Sequence, residues 1–150
     1  EIDRSLVGSE MCIRDRRQLL SKNPNANIKL SDPIYGEAKK QLLAECAYFA
    51  LPSHSEGFPV AVLDAMAAGL VPLLSDGCNV PEAFEENVAI QIEPEESSIV
   101  AGLNRIAAIS TEERRQLSQK AADFVSEHFG MEKIAARQAE LYRSLLVERD

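Results

Sequence analysis

Short apolar runs that end at turn residues alternate along this chain with segments of helical periodicity. Residues 47–51 and 71–74 are continuous apolar runs, and Pro52 closes the first of them. Such runs are typical of buried strands. Between them, residues 59–68 have the spacing of a helix that Gly69 ends. Strands that alternate with helices predict an α/β fold, here a Rossmann-like parallel sheet with helices on both faces.

Further elements are predicted on either side of these runs. The pattern predicts a strand over residues 27–30, an amphipathic helix over 36–46 and a strand over 88–92. C-terminal helices are predicted to close the fold, over about 99–107, 110–128 and 131–148. Ser110 and Glu113 form a capping box for the second of them. Pro72 falls in a predicted buried strand, so it is expected where the strand needs no backbone donor.

Composition and charge exclude several classes of protein. The 150 residues are 45% apolar, which is enough for one globular domain. A net charge of −8 opposes phosphate backbones, so no nucleic-acid partner is expected. No apolar run approaches the roughly 18–20 residues of a transmembrane segment. The 3 cysteines lack metal-ligand spacing, which predicts a reducing, cytoplasmic location and no metal site.

Residues 1–16 differ in character from the rest of the chain. They have no clear amphipathic period, and they lead into no predicted strand. The string from Ser5 to Arg16 resembles a translated DNA adapter of transposase-based sequencing libraries. We therefore predict that residues 1–16 are a non-native segment and that the natural sequence, itself a fragment, begins near Arg17.

A polar loop over residues 52–59 connects a predicted strand with a predicted helix. Ligands of open α/β sheets bind beyond the carboxyl ends of the strands, and free N–H groups at a helix start suit an anion. Glu56 suits sugar hydroxyls, and Gly57 permits close approach of the backbone. Asp64 lies about 7.5 Å beyond Pro59 along the helix. Hydroxyl acceptors on both sides of an anion site match the layout of a nucleotide-diphosphate sugar.

These residues also resemble a known family. Pro52-Ser53, the segment 56–69 (EGFPVAVLDAMAAG) and Val71-Pro72 resemble the signature of retaining GT-B glycosyltransferases of family 4, or group 1. That signature has two acidic residues separated by seven others. The resemblance extends from about residue 28 to 146, and segments 77–82 and 129–134 resemble further family motifs. It implies that residues 17–150 are a partial nucleotide-sugar-binding domain, the C-terminal one, with the N-terminal acceptor domain missing.

The resemblance implies donor-binding roles for individual residues. Glu56 is implied as the catalytic residue, in contact with the hydroxyls of the donor sugar. Asp64 is implied to hold the ribose hydroxyls, although it is one methylene shorter than the usual Glu. In the family, the basic residues that neutralise the diphosphate lie earlier in the same domain. The resemblance therefore assigns no such role to Lys39 or Lys40. The other implied donor-binding residues are Gly57, Phe58 and Pro59 over sugar and diphosphate, Val60 and Ala61 at the phosphates through backbone N–H groups, and Ser31, Asp32, Pro33 and Ile34 beside the nucleobase.

The implied function is donor binding in a retaining glycosyltransferase of the hexosyltransferase type, active in carbohydrate biosynthesis. The enzyme would transfer a sugar from a nucleotide-diphosphate sugar to a sugar or lipid-linked acceptor, with no cofactor and no metal. The chain alone is expected to be inactive, and the location is expected to be the cytoplasm or the cytoplasmic face of the membrane. Two alternatives are a GT-B nucleotide-sugar epimerase and a non-catalytic nucleotide-sugar-binding module.

Overall fold

The computed structural model describes residues 15, 17–24 and 28–147, which belong to two compact units, Glu1–Gly36 and Glu37–Asp150. In the first unit, residues 17–22 form a short helix, α1, and residues 28–35 have no regular secondary structure. Arg17 Nη2 and Asp32 Oδ1 are 4.0 Å apart within this unit. The predicted non-native segment 1–16 lies outside the described residues, except for Asp15.

The strand predicted over residues 27–30 is wrong for the described part, residues 28–30. These residues pair with none of the described strands, and Ile28 is 65% exposed. A strand is stable only when a neighbouring strand completes its ladder of hydrogen bonds. A short apolar pattern indicates that a segment can form a strand, but it does not supply that neighbour.

The second unit alternates strands with helices, as the sequence predicts. The strands form a three-stranded parallel sheet in the order β1-β2-β3, which confirms the predicted fold class. A turn of 3₁₀ helix, Asp76–Cys78, follows the central strand. In chain order the elements are α2 (Gly36–Glu45), β1 (Tyr48–Leu51), α3 (Val60–Ala67), β2 (Val71–Leu74), α4 (Pro81–Glu85), β3 (Ile90–Gln91), α5 (Glu96–Ala108), α6 (Thr111–Phe129) and α7 (Met131–Val147).

Helices cover both faces of the sheet. On one face, Leu74 of β2 belongs to a core cluster with Met66 of α3 and Phe124 of α6. On the other face, Leu73 belongs to a second cluster, against which Ile106 of α5 packs. Successive residues of a strand point to opposite faces, so one short strand contributes to both clusters. All four residues of β2 are therefore buried.

Pro72 lies in the central strand, where a missing N–H group could leave a carbonyl unpaired. The N–H of Val71 donates to Ala47 O of the β1 side at 3.1 Å. Pairing between β2 and β3 begins only at Leu73, opposite Ile90. Because successive N–H groups of a strand point to opposite neighbours, Pro72 faces the β3 side before that ladder starts. This confirms that Pro72 occupies a position that needs no donor.

The helix ends in the second unit largely match the predicted signals. Ser110 Oγ accepts a hydrogen bond from the Glu113 N–H at 3.1 Å at the start of α6. Gly69, with a φ of +80°, follows α3 in the left-handed conformation that glycine favours. Pro59 lies one residue before α3 rather than in its first turn. The prediction of these helices therefore holds to within about two residues.

Three elements are more exposed than their apolar patterns suggest. Full burial was expected for residues 47–51, and this is wrong, because β1 has partly exposed residues along its whole length. Among the described strands β1 pairs only with β2, so it forms an edge of the sheet. No residue of α2 is buried, and Leu141 and Leu145 of α7 are 56% and 52% exposed. Periodicity identifies an apolar face but not the element that covers it.

Candidate functional site

Two loops that follow neighbouring strands form the candidate site. The first loop, residues 52–59, leaves β1 and enters α3, and the second loop, residues 75–79, leaves β2. Because β1 and β2 are parallel, their carboxyl ends and both loops lie at the same end of the strands. Open α/β sheets bind their ligands beyond these carboxyl ends.

The second loop holds the main chain of the first loop through hydrogen bonds. The N–H of Glu56 donates to Gly77 O at 2.7 Å, and Asn79 Nδ2 donates to Glu56 O. Ser75, which is fully buried, donates from Oγ to Ser53 O at 2.5 Å. Both backbone polar groups of Glu56 are therefore paired with the loop that follows the central strand.

Gly77 allows the two loops to touch. A Cβ atom at this position would lie 2.6 Å from the backbone C and O of His54, and closer still to Ser53 O. Backbone atoms at that distance overlap strongly, and they cannot rotate away as a flexible side chain can. The glycine is thus required by close approach of another backbone segment.

The front of the first loop is open. Glu56 is half-buried, whereas Gly57 and Phe58 are exposed. A Cβ atom on Gly57 would meet nothing within 4 Å. The Phe58 ring is 68% exposed and contacts Phe129 of α6 edge-on, with centroids 6.2 Å apart. Glu56, Gly57 and Phe58 therefore line a surface that a ligand can occupy without displacing protein atoms.

The start of α3 carries unpaired backbone donors. No side chain caps this helix, and the N–H of Val60 donates to Phe58 O at 2.9 Å. Within the described part of the chain, the N–H groups of Ala61 and Val62 have no hydrogen-bond partner. Such free N–H groups, together with the helix dipole, attract an anion. Of the two predicted phosphate donors, Ala61 is free and Val60 is already paired.

Asp64 lies one helical turn beyond Val60 and contacts a lysine from another helix. Asp64 Oδ2 is 2.6 Å from Lys39 Nζ of α2. The Asp64 and Lys39 side chains are 47% and 35% exposed. The carboxylate that the sequence assigns to the donor ribose is thus already engaged by a cation on one side.

The predicted nucleobase residues belong to the first unit. Ser31, Asp32 and Pro33 are exposed and belong to the first unit, so their predicted position beside a nucleobase stays a prediction. Among the described residues, no group of three or more His, Cys, Asp or Glu side chains is arranged to hold a metal ion. None of the helices in that same part of the chain is long and apolar enough to cross a membrane.

A cavity of about 350 Å³ lies at the opposite, amino-terminal end of the strands, where β1 and β2 begin. Cys46 and Gly69 line it together with the first turns of α6. There Arg115 Nη2 is 2.9 Å from Glu112 Oε1, and this guanidinium lowers the pKa of Glu112. No residue of the two loops lines this cavity, so it is separate from the candidate site.

The sequence matches the family described as Glycosyl transferases group 1 over residues 7–124. The chain therefore belongs to this family. The match begins inside the segment 1–16, and it includes both loops, α3 and most of α6.

Curated relatives are similar over short stretches. The chain is 52% identical over 40 residues to N,N'-diacetylbacillosaminyl-diphospho-undecaprenol alpha-1,3-N-acetylgalactosaminyltransferase of Campylobacter jejuni. It is 40% identical over 65 residues to the amylovoran biosynthesis glycosyltransferase AmsK of Erwinia amylovora. It is 33% identical over 61 residues to GDP-mannose:cellobiosyl-diphosphopolyprenol alpha-mannosyltransferase of Xanthomonas oryzae. These matches include 25%, 39% and 41% of this chain, but only 11%, 16% and 16% of the relatives.

A solved structure shares the fold. Sucrose-phosphate synthase from Thermosynechococcus elongatus superimposes with a TM-score of 0.76 at 22% sequence identity. The match covers 90% of this chain and 34% of the synthase chain. At this identity the similarity shows the fold alone, a Rossmann-like domain of the GT-B type.

Sequence reasoning assigned no role to four residues that build the site. Ser75, Gly77 and Asn79 hold the first loop, and Lys39 contacts Asp64. A glycine in the short loop that follows a buried strand, such as Gly77 after β2, is a signal for close backbone approach. Lys39 and Asp64 are 25 residues apart, and no local pattern connects residues at that separation.

Proposed function

We propose that this chain binds the donor in a retaining glycosyltransferase of family 4, which transfers a sugar from a nucleotide-diphosphate sugar to an acceptor. Glu56 contacts the sugar, the start of α3 contacts the diphosphate and Asp64 contacts the ribose. A further domain would bind the acceptor. We also propose a hexose as the transferred sugar and the cytoplasm as the location.

The observation that carries this proposal is the arrangement around the start of α3. The free N–H groups of Ala61 and Val62 form an anion site, with the half-buried Glu56 before it. Asp64 follows Ala61 by three residues, about 4.5 Å along the helix axis. Two carboxylates cannot both contact phosphate favourably, but both accept hydrogen bonds from hydroxyl groups. A ligand with hydroxyls on either side of a diphosphate satisfies all three groups.

The relatives support the donor and acceptor classes. The name of the Xanthomonas relative specifies GDP-mannose and a diphosphopolyprenol-linked sugar. The name of the Campylobacter relative specifies a diphospho-undecaprenol-linked sugar. We therefore propose a nucleotide sugar as the donor and a lipid-linked sugar as the acceptor of the enzyme to which this chain belongs.

The proposed chemistry is electrostatic. As the bond from the sugar to the diphosphate breaks, positive charge develops on the sugar and negative charge on the leaving diphosphate. The helix-start donors stabilise the leaving group because they already point at it. The Glu56 carboxylate stabilises the sugar, and its position is maintained through the paired main chain of Glu56.

Binding of nucleoside diphosphates tests the proposal directly. The ¹⁵N-labelled chain is titrated with UDP, GDP and ADP, and inorganic phosphate serves as the control anion. At least one of the three should shift the amide signals of Ala61, Val62 and Asp64 more than phosphate does. If none of them shifts these signals at millimolar concentration, the donor-binding assignment is wrong.

Asp64→Asn is expected to weaken nucleoside diphosphate binding and, in the complete enzyme, to raise the donor KM with little change in kcat. The ribose is remote from the reacting carbon, so its contacts are equal in the ground and transition states. Loss of one charge-assisted hydrogen bond corresponds to roughly tenfold in affinity. Calorimetry with the diphosphate that binds would measure this change. Equal affinity of the wild type, Asp64→Asn and Asp64→Glu would show that residue 64 does not contact the ribose.

Asn79 and Asn87 form a matched pair for testing how the second loop positions Glu56. Both have a left-handed backbone, with φ of 56° and 55°, but only Asn79 donates to the Glu56 carbonyl. Each Asn→Ala variant should lose about 1 kcal/mol of unfolding free energy in urea titrations. Only Asn79→Ala should also weaken nucleoside diphosphate binding several-fold. Equal losses of binding in the two variants would contradict a positioning role for Asn79.

A further inference from the structure

The pair between Lys39 and Asp64 differs from the other lysine and arginine pairs of the second unit. Lys39 reaches from α2 to α3, and its Nζ lies 2.6 Å from Asp64 Oδ2. Lys40 instead contacts Glu37 on its own helix at 3.3 Å, with side chains 77% and 72% exposed. The Lys39 side chain is 35% exposed. This pair is thus both closer and better shielded than its neighbour on the same helix.

Stability alone is a weak explanation for this contact. Ion pairs that remain partly exposed contribute little to folding, because water competes for both charges and two side chains lose rotamer freedom. The pair is also placed at the one carboxylate of α3, in the region that the proposed function assigns to the donor. A contact at that position can act on ligand binding even where its effect on folding is small.

One oxygen of the Asp64 carboxylate, Oδ1, remains available to accept a hydrogen bond from a ligand. Lys39 engages Oδ2, and no group of the described residues donates to Oδ1. A carboxylate has two oxygens, each with room for more than one donor. With one oxygen held by the ammonium group, the other keeps a defined direction for a hydroxyl group. A side chain that is held in its bound conformation loses less entropy when the ligand arrives.

We propose that Lys39 is a positioning residue for the donor ribose, which acts by holding the Asp64 carboxylate with Oδ1 directed at the ribose hydroxyls. This inference rests on the proposed donor-binding function. Lys39 also offsets the negative charge of Asp64, which would otherwise repel the nearby diphosphate. The aspartate therefore performs its role together with a lysine that the sequence signature does not contain.

The test compares Lys39→Met with Lys40→Met. Lys39→Met should weaken binding of the nucleoside diphosphate about tenfold, the effect of losing one charge-assisted contact, and should leave the kcat of the complete enzyme within twofold. Lys40→Met removes the same charge from the same helix and should leave the affinity and kcat unchanged. Lys39→Arg keeps a cation that can reach the carboxylate and should recover most of the affinity.

Two further measurements separate positioning from direct phosphate contact. In an Asp64→Asn background, Lys39→Met should cause little additional loss, because its effect passes through the carboxylate. The corresponding nucleoside, which lacks phosphates, should also bind less tightly to Lys39→Met. The positioning role would be overturned if Lys39→Met lowered nucleoside diphosphate affinity by the same factor in the Asp64→Asn background as in the wild type and left nucleoside binding unchanged.

Failure of this inference can be distinguished from failure of the proposed function. If Asp64→Asn weakens binding and Lys39→Met does not, only the role of Lys39 is wrong. If UDP, GDP and ADP all fail to bind the wild-type chain, the donor-binding function itself is wrong.

Discussion

In the complete enzyme, Glu56→Gln is expected to reduce kcat for sugar transfer by about 10²-fold or more, with a smaller change in the donor KM. The substitution keeps the shape of the side chain and removes its charge. Positive charge develops on the sugar only as the bond to the diphosphate breaks, so the carboxylate acts mainly in the transition state. Initial rates at varied donor concentration and saturating acceptor separate kcat from KM.

A charge-matched control distinguishes this local effect from a change in net charge. Glu127, which is exposed on α6, lies in no loop of the site. Glu127→Gln should change kcat and KM by less than twofold, as is usual for surface substitutions. Because both backbone groups of Glu56 are held by the second loop, Glu56→Gln should also retain the fold. Unchanged turnover of Glu56→Gln would refute the catalytic assignment.

Gly77→Ala is expected to lower the free energy of unfolding by about 2–3 kcal/mol, the range of strong overpacking. The added methyl group would overlap the backbone of Ser53 and His54, and neither can move without breaking the hydrogen bonds between the loops. Any relaxation moves the first loop, so nucleoside diphosphate binding should fall as well. Urea titration measures the stability, and calorimetry measures the binding.

Gly57→Ala is the control for Gly77→Ala. A Cβ atom on Gly57 meets only open space, so the variant should keep its stability within about 0.5 kcal/mol. Its donor affinity should nevertheless fall, because the added methyl group occupies the surface proposed for sugar and diphosphate. If Gly77→Ala matched the wild type in both stability and binding, the close contact between the loops would not be required.

The sequence predicted the parts of the fold that depend on local patterns. The central strand, the helix that Ser110 caps and the glycine that follows α3 were all visible as periodicity or capping residues. The edge position of β1 was not visible, because an apolar run does not show how many strands flank it. The strand expected over residues 27–30 failed for the same reason.

The sequence indicated the candidate residues themselves but not the residues that hold them in position. The polar loop, Glu56 and Asp64 stand close together in the sequence, and the motif connects them. Their partners do not, because Asn79 lies 23 residues from Glu56 and Lys39 lies 25 residues from Asp64. Contacts at such separation depend on the packing of strands and helices, which a single sequence does not contain.

The hydrogen bonds between the loops divide the first loop into two kinds of position. The second loop holds the main chain of Ser53 and Glu56 through hydrogen bonds, whereas the side of Gly57 and Phe58 is exposed. Substitutions at the exposed positions therefore change the ligand surface at low cost in stability. Under the proposed function, sugar specificity can therefore change there, one residue at a time, while the position of the acidic residue stays constant.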